Sequence, residues 1–216
     1  MKELKAVIFD LDGTLLDTLD DLADATNAAL AHFGYPLRSR EEVRRFIGNG
    51  VENLMRCALP EGTENERVLE ACAFFREDYA KRNRNRTAPY PGVVDTLKDL
   101  RTRGIAVAIV SNKYDAAVRE LCAHYFPDLF DLALGERADV PKKPAPDGIF
   151  YAMETLGVAR DEVIYVGDSE VDCETAVRAD VELVAVLWGF RDRDVLEKSG
   201  AKHFAQDIGE LCAFFE

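Results

Sequence analysis

The sequence predicts a parallel α/β sheet interrupted by an all-helical insert, and three observations carry that prediction. Apolar bursts rich in Val and Ile recur along the chain, segments with helical spacing lie between them, and residues 17–86 contain helical patterns with no such burst. Short continuous apolar runs mark strands buried on both faces, and strand–helix–strand order is the signature of right-handed crossovers in a parallel sheet.

The first strand is Ala6-Val7-Ile8-Phe9, which gives out into Asp10-Leu11-Asp12 and a glycine turn at Gly13. Four amphipathic stretches follow: Leu19–Phe33, Glu41–Ile47, Val51–Leu59 and Asn65–Arg82. An insert of this kind reads as a second, smaller domain. The expected division is a helical domain over 17–86 and an α/β domain formed by 1–16 and 87–216, with Tyr90-Pro91-Gly92 marking the return. Helical spacing then appears at Val94–Leu100, Ala116–Ala123, Ile149–Leu156 and Asp172–Arg178. Strands are expected at Ile105–Val110, Val163–Val166 and Leu183–Leu187, with a weaker one at Leu132–Leu134. Phe74, Phe75, Phe126 and Phe130 are expected to pack the core.

Composition narrows the partners. A chain of 216 residues, 48% hydrophobic, can bury a sizeable core. Its formal charge of -13 disfavours nucleic acid and anionic membrane surfaces, so an anionic substrate would need local cations. The five cysteines are an odd number without C-x-x-C spacing, which argues against a disulfide framework or zinc site and for a reducing cytoplasm. No apolar run approaches the ~20 residues of a membrane span, and neither secretion nor anchoring is expected.

Chemistry is expected where the strands end. In an extended backbone, side chains two positions apart face the same side, so Asp10 and Asp12 can meet one small ligand. Ile105–Val110 ends at Ser111-Asn112-Lys113, and Val163–Val166 ends at Gly167-Asp168-Ser169. The carboxyl ends of parallel strands line the ligand crevice of open α/β sheets. Asp10, Asp12 and Asp168 are hard oxygen donors suited to Mg²⁺, which would also relieve their mutual repulsion. Lys143, in the loop before the helix at Ile149, is a point charge for phosphate oxygens, and Ser111 can donate to the same oxygens. Metal, lysine and hydroxyl together would make a phosphoryl cradle.

Asp10-Leu11-Asp12-Gly13-Thr14, Ser111-Asn112, Lys143-Pro144 and Gly167-Asp168-Ser169-Glu170-Val171-Asp172 resemble, in order, the four motifs of the haloacid dehalogenase superfamily. The resemblance covers the whole chain. It implies a doubly wound, Rossmann-like core, with residues 17–86 as a helical cap. Ile47-Gly48-Asn49-Gly50-Val51, Pro91-Gly92 and Trp188-Gly189-Phe190 are similar to a branch that includes phosphoglycolate phosphatases.

By that resemblance, Asp10 is the nucleophile that forms an aspartyl-phosphate, and Asp12 handles the proton with acidic neighbours around it. Mg²⁺ would be held by Asp10, the main-chain carbonyl of Asp12, Asp168 and Asp172, the last directly or through water. Lys143 would neutralise phosphate charge and restrain Asp10, and Ser111 and Asn112 would bind phosphate oxygens. Thr14 would touch phosphate or cap a helix. Gly48 and Asn49 would form a substrate loop or merely link two helices. Asp172 also suits a helix N-terminus on electrostatic grounds alone.

The implied activity is Mg²⁺-dependent hydrolysis of a small phosphomonoester, with 2-phosphoglycolate the leading substrate. Alternatives are a sugar phosphomutase, a phosphatase for another substrate (sugar phosphate, nucleotide or pyrophosphate), or a non-catalytic binding protein on the same scaffold. Mutases of this branch typically carry a histidine where Leu22 stands. The 2-haloacid dehalogenases lack the second acid present here as Asp12. The cationic run Lys81–Arg86 reads as a solvated helix end. His32, His124 and His203 fit no ligand spacing, and surface placement is the expectation for Arg44, Arg45, Arg56 and Lys142.

Overall fold

The computed structural model describes residues 3–216. Strand β1 (Ala6–Phe9) leads through β2 (Leu16–Asp17) into four helices: α1 (Leu19–His32), α2 (Arg40–Phe46), α3 (Gly50–Ala58) and α4 (Asn65–Arg82). The chain returns through β3 (Ala88–Pro89), which pairs with β2 in a two-stranded ribbon. It continues as α5 (Val93–Thr102), β4 (Ala106–Tyr114), α6 (Asp115–Tyr125), β5 (Leu132–Glu136), α7 (Asp147–Leu156), β6 (Val163–Gly167) and α8 (Glu170–Ala179). Then come β7 (Glu182–Val186), α9 (Arg193–Lys198), β8 (His203–Ala205) and α10 (Ile208–Ala213). Two compact units result: an α/β unit that runs to Leu16 and resumes at Pro89, and a helical unit over Asp17–Ala88.

The α/β unit contains a six-stranded parallel sheet in the order β5-β4-β1-β6-β7-β8. The strand order turns back between β1 and β6, the switch point at which open α/β sheets bind ligands beyond their strand ends. Alternation along the strands builds a core on each face. Val7, Phe9, Val107, Ile109, Ile164 and Val166 pack with Leu97 and Leu100 of α5, Val118 and Leu121 of α6 and Leu211 of α10. Ala6, Ile8, Ala108, Val110 and Tyr165 pack with Ile149 and Ala152 of α7, Cys173 and Ala176 of α8 and Leu196 of α9.

The ribbon of β2 and β3 was not expected, and two strands of the six-stranded sheet also depart from expectation. The strand predicted over Ile105–Val110 runs on through Ser111, Asn112 and Lys113 as β4, because β5 continues beside it to the pair Tyr114–Glu136 across a register shift. Strand β8 has no apolar burst; its three residues are held by main-chain pairing with β7, from Val184–His203 to Val186–Ala205.

In the helical unit, the apolar face of α1 (Leu22, Ala25, Ala29, Leu30) is buried, as are Leu54 and Met55 of α3 and Val68, Ala71, Phe75 and Tyr79 of α4. That spacing is the helical period. Ser39 caps α2 in a capping box with Glu42. Asp21 of α1 is almost completely buried and accepts from Arg86 N (3.0 Å), Thr87 N (2.9 Å) and Thr87 Oγ1 (2.8 Å), so it fastens the segment after α4 to α1. The cationic run ends in ion pairs, Lys81 with Glu77, Arg82 with Asp78 and Arg86 with Asp24. Phe75 and Phe126 are core residues, whereas Phe74 and Phe130 border it, Phe74 stacked on His32 at 4.3 Å between centroids. No helix among the described residues is long and apolar enough to cross a membrane.

Candidate active site

The ends of β1, β4 and β6 bring together a set of buried charges. Asp10 directly follows β1, and its Oδ1 lies 2.9 Å from Lys143 Nζ. The same ammonium lies 2.7 Å from Asp172 Oδ1 and 3.0 Å from the Tyr165 hydroxyl. Asp172 accepts from Tyr165 OH at 2.5 Å through Oδ1, and from Ser169 Oγ (2.6 Å), Ser169 N (3.1 Å) and Asp168 N (3.2 Å) through Oδ2. Asp168, just after β6, accepts from Thr14 Oγ1 (3.2 Å) and Phe190 N (2.6 Å). Asn112 donates to the Lys143 carbonyl at 2.9 Å, which ties the lysine loop to β4. Ser111 Oγ is buried beside it and accepts from Lys113 N at 3.3 Å.

Glycines make the close approach possible. A methyl group on Gly13, which has φ +86°, would come within 2.3 Å of Asp168 Oδ2, and one on Gly189 would meet Asp168 Cβ at 2.3 Å. Gly13 therefore serves both a left-handed turn and the space its neighbour occupies.

Burial decides the electrostatics. It pushes the Asp10 carboxyl up to about 7 even with Lys143 alongside, and Asp172 and Asp12 add to the shift. Asp168 is raised well above the ordinary carboxylate range, by burial first and then by Asp172 and Asp10. Burial works the same way on Asp172, but Lys143 and the hydroxyls of Ser169 and Tyr165 outweigh it and hold that carboxyl below its usual value. Burial would lower Lys143, yet Asp10 and Asp172 together raise it and keep it charged.

Asp10, Asp168 and Asp172 bring carboxylate oxygens within 4.8 Å of one another. Two of these three acids are driven toward their protonated forms, and a divalent cation would relieve both. Buried hard oxygens in this number suit such an ion.

Asp12 is bound differently. Both its oxygens accept from Lys113 Nζ, at 2.9 and 3.0 Å, so a cation rather than another acid is its hydrogen-bonding partner. Asp12 has the acidic neighbour expected of it, since its charge acts on Asp10, but it is not one of the three clustered carboxylates, and Lys113 is a partner that the sequence did not indicate. Thr14 is not a helix cap, since Thr18 holds that position before α1 and the Thr14 hydroxyl goes to Asp168. Asp172 does open a helix, as the third residue of α8 in a capping box with Ser169, and is ion-paired as well. Lys142 lies 3.5 Å from Glu136. Gly48, at φ +129°, and Asn49, which precedes α3, occupy the turn after α2 in the helical unit. Arg44 and Arg45 pair with Glu41, and Arg56 with Glu52.

Sequence reasoning assigned no role to Lys113 or Tyr165. Lys113 is only 7% exposed, and its signal is a cation placed in line with Ser111 and Asn112. Tyr165 is hidden in an apolar strand, where only its hydroxyl sets it apart from its neighbours.

Residues 7–186 match the family described as haloacid dehalogenase-like hydrolase. A phosphoglycolate phosphatase of Pseudomonas putida is 35% identical over 213 residues, covering 96% of this chain and 78% of the relative. One of Vibrio parahaemolyticus is 33% identical over 222 residues, covering 97% and 95%. Among solved structures, a candidate phosphoglycolate phosphatase of Lactobacillus delbrueckii subsp. bulgaricus superposes with a TM-score of 0.93 at 35% identity, covering 99% of this chain and 98% of that one. A strand order that turns back at β1/β6, with buried acids at both strand ends, defines a doubly wound α/β fold with a cluster of buried charge at its switch point. The chain belongs to the haloacid dehalogenase-like hydrolase family, within its phosphatase class.

Proposed function

We propose that this chain is a Mg²⁺-dependent phosphatase that hydrolyses a small phosphomonoester, 2-phosphoglycolate first among them, through an aspartyl-phosphate on Asp10. The observation that carries this reading is the buried contact of Asp10 with Lys143 at 2.9 Å, beside the carboxylates of Asp168 and Asp172. A carboxylate held against an ammonium in a water-poor pocket can approach an anionic phosphoryl group whose charge the same ammonium offsets. The similarity to phosphoglycolate phosphatases supports the substrate.

In this reading an Asp10 oxygen attacks phosphorus, the ester P–O bond breaks, and the departing alkoxide takes a proton from Asp12. Water then attacks the aspartyl-phosphate, Asp12 takes the water's proton, and the bond from phosphorus to Asp10 breaks to release inorganic phosphate. Lys113 holds Asp12 between these transfers. Thr14, Ser111, Asn112 and Lys143 line the strand ends that receive the phosphoryl oxygens. Side-chain oxygens of Asp10 and Asp168 and the main-chain carbonyl of Asp12 would hold Mg²⁺. When bound, the ion supplies positive charge that keeps Asp10 ionised and offsets charge on the phosphoryl group.

The test is phosphate release from a panel of phosphomonoesters, with Mg²⁺ and with chelator. Activity should be lost with chelator, and kcat/KM for 2-phosphoglycolate should exceed that for hexose phosphates and nucleotides by about tenfold or more. A preference for either of those classes overturns the substrate, and transfer to a second hydroxyl in place of release overturns hydrolysis.

A further inference from the structure

We propose that Tyr165 and Asp172 form a buried positioning pair that aims Lys143 at Asp10, with Asp172 serving the lysine rather than the metal. The inference rests on the phosphatase reading for its kinetic consequence, and on hydrogen bonding alone for its assignment of Asp172.

An ionised carboxylate has about four lone-pair positions. Asp172 already meets five donors: Lys143 Nζ, Tyr165 OH, Ser169 Oγ, Ser169 N and Asp168 N. Coordination to a cation would displace at least one of them inside a fully buried pocket, and a buried donor stripped of its acceptor is costly. The two other acids have capacity to spare. Asp168 accepts from two donors, and the Asp10 carboxylate meets Lys143 alone among the described residues.

Charge leads to the same division. Three carboxylates against one ammonium leave two negative charges, which one divalent cation neutralises. With Asp172 paired to Lys143, the acids left to face that cation are Asp10 and Asp168.

Tyr165 makes the arrangement rigid. Its ring packs in the apolar layer with Ile8, Ile149 and Cys173, while its hydroxyl accepts from Lys143 and donates to Asp172. The phenol therefore fixes both partners from a strand rather than a loop, which limits the lysine head to one location. Gly167 leaves the room for this: a methyl group there would stand 2.4 Å from Asp172 Cβ.

The test compares Tyr165→Phe, Asp172→Asn and Asp168→Asn in the full chain. Mg²⁺ affinity is read by calorimetry, and phosphate release is read from both p-nitrophenyl phosphate and 2-phosphoglycolate. Tyr165→Phe should lower kcat by roughly 10- to 100-fold, with KM and Mg²⁺ affinity within about threefold of the parent. A loss of packing alone would not separate kcat from KM and metal binding in this way. Asp172→Asn should also keep Mg²⁺ affinity within about threefold, while Asp168→Asn weakens it by roughly 100-fold or more.

Equal weakening in Asp172→Asn and Asp168→Asn makes Asp172 a ligand and overturns the proposal, as does an unchanged kcat in Tyr165→Phe. If Asp172→Asn does not fold, Tyr165→Phe decides, since phenylalanine fills the same space. If the parent protein releases no phosphate from either compound, the phosphatase reading falls, and the comparison of Asp172→Asn with Asp168→Asn still decides the assignment of Asp172.

Discussion

The two units bury carboxylates to opposite ends. In the helical unit, Asp21 is enclosed by donors that ask nothing of chemistry: two main-chain N–H groups and a threonine hydroxyl on the segment after α4. In the α/β unit, Asp10, Asp168 and Asp172 converge on one lysine, and burial drives two of the three toward protonation. A buried acid satisfied by neutral donors holds a fold together. A group of buried acids short of positive charge is a site kept ready for a ligand that supplies it.

The comparison breaks most visibly at Asp10. Asp10→Asn should reduce phosphate release by about 10⁴-fold or more, while chelated protein melts no lower than the parent, because the lost charge is one that burial opposes. A coincident loss of activity and folding would mean that Asp10 is structural in the manner of Asp21.

Asp21→Ala makes the reciprocal case. Removing the acceptor strands buried N–H groups, so urea denaturation should show a loss of about 2–3 kcal/mol. Calorimetric Mg²⁺ affinity, which the proposed function places on Asp10 and Asp168, should stay within about twofold.

The pH dependence of stability sharpens the contrast. With its carboxyl at about 7 in the folded chain against an ordinary 3.8, Asp10 keeps a proton in the native state that the unfolded state has already shed. Stability of chelated protein should therefore decline as pH climbs from about 4 to 7, and this contribution should level off above that. Scanning calorimetry of the parent against Asp10→Asn isolates it, the variant showing the flatter slope by a few degrees in Tm. Mg²⁺ should raise Tm more at pH 8 than at pH 5.

The smallest effect is expected at Ser39, whose capping box serves one exposed helix start. Ser39→Ala should cost about 1 kcal/mol by urea denaturation and leave phosphate release unchanged.

Much of this molecule was legible in its residues. The bursts at Ala6–Phe9 and Val163–Val166 are strands as read, and Asn65–Arg82 is a helix with the bounds its pattern indicates. Asp10 and Asp168, read as acids at two strand ends, lie together, and Lys143, read in the loop before the helix at Ile149, lies 2.9 Å from Asp10. The extension of β4 through Ser111–Lys113 was not legible, since a polar strand end resembles a loop until β5 pairs with it. Nor was β8, whose His203-Phe204-Ala205 has no pattern of its own and is a strand because β7 offers it an edge.

Local periodicity and turn chemistry are properties of neighbouring residues, so the order of strands and helices, the helical insert and the acids at the strand ends could be read from the chain alone. Which cation meets which acid depended on packing. Lys113 reaches Asp12 across 101 positions of sequence, and Lys143 finds Asp172 and Tyr165 only because β4, β6 and α8 bring them to one edge of the sheet. Contacts of that range leave no periodic trace in a single sequence, and their strength comes from a buried, water-poor setting that exists only once the layers have closed.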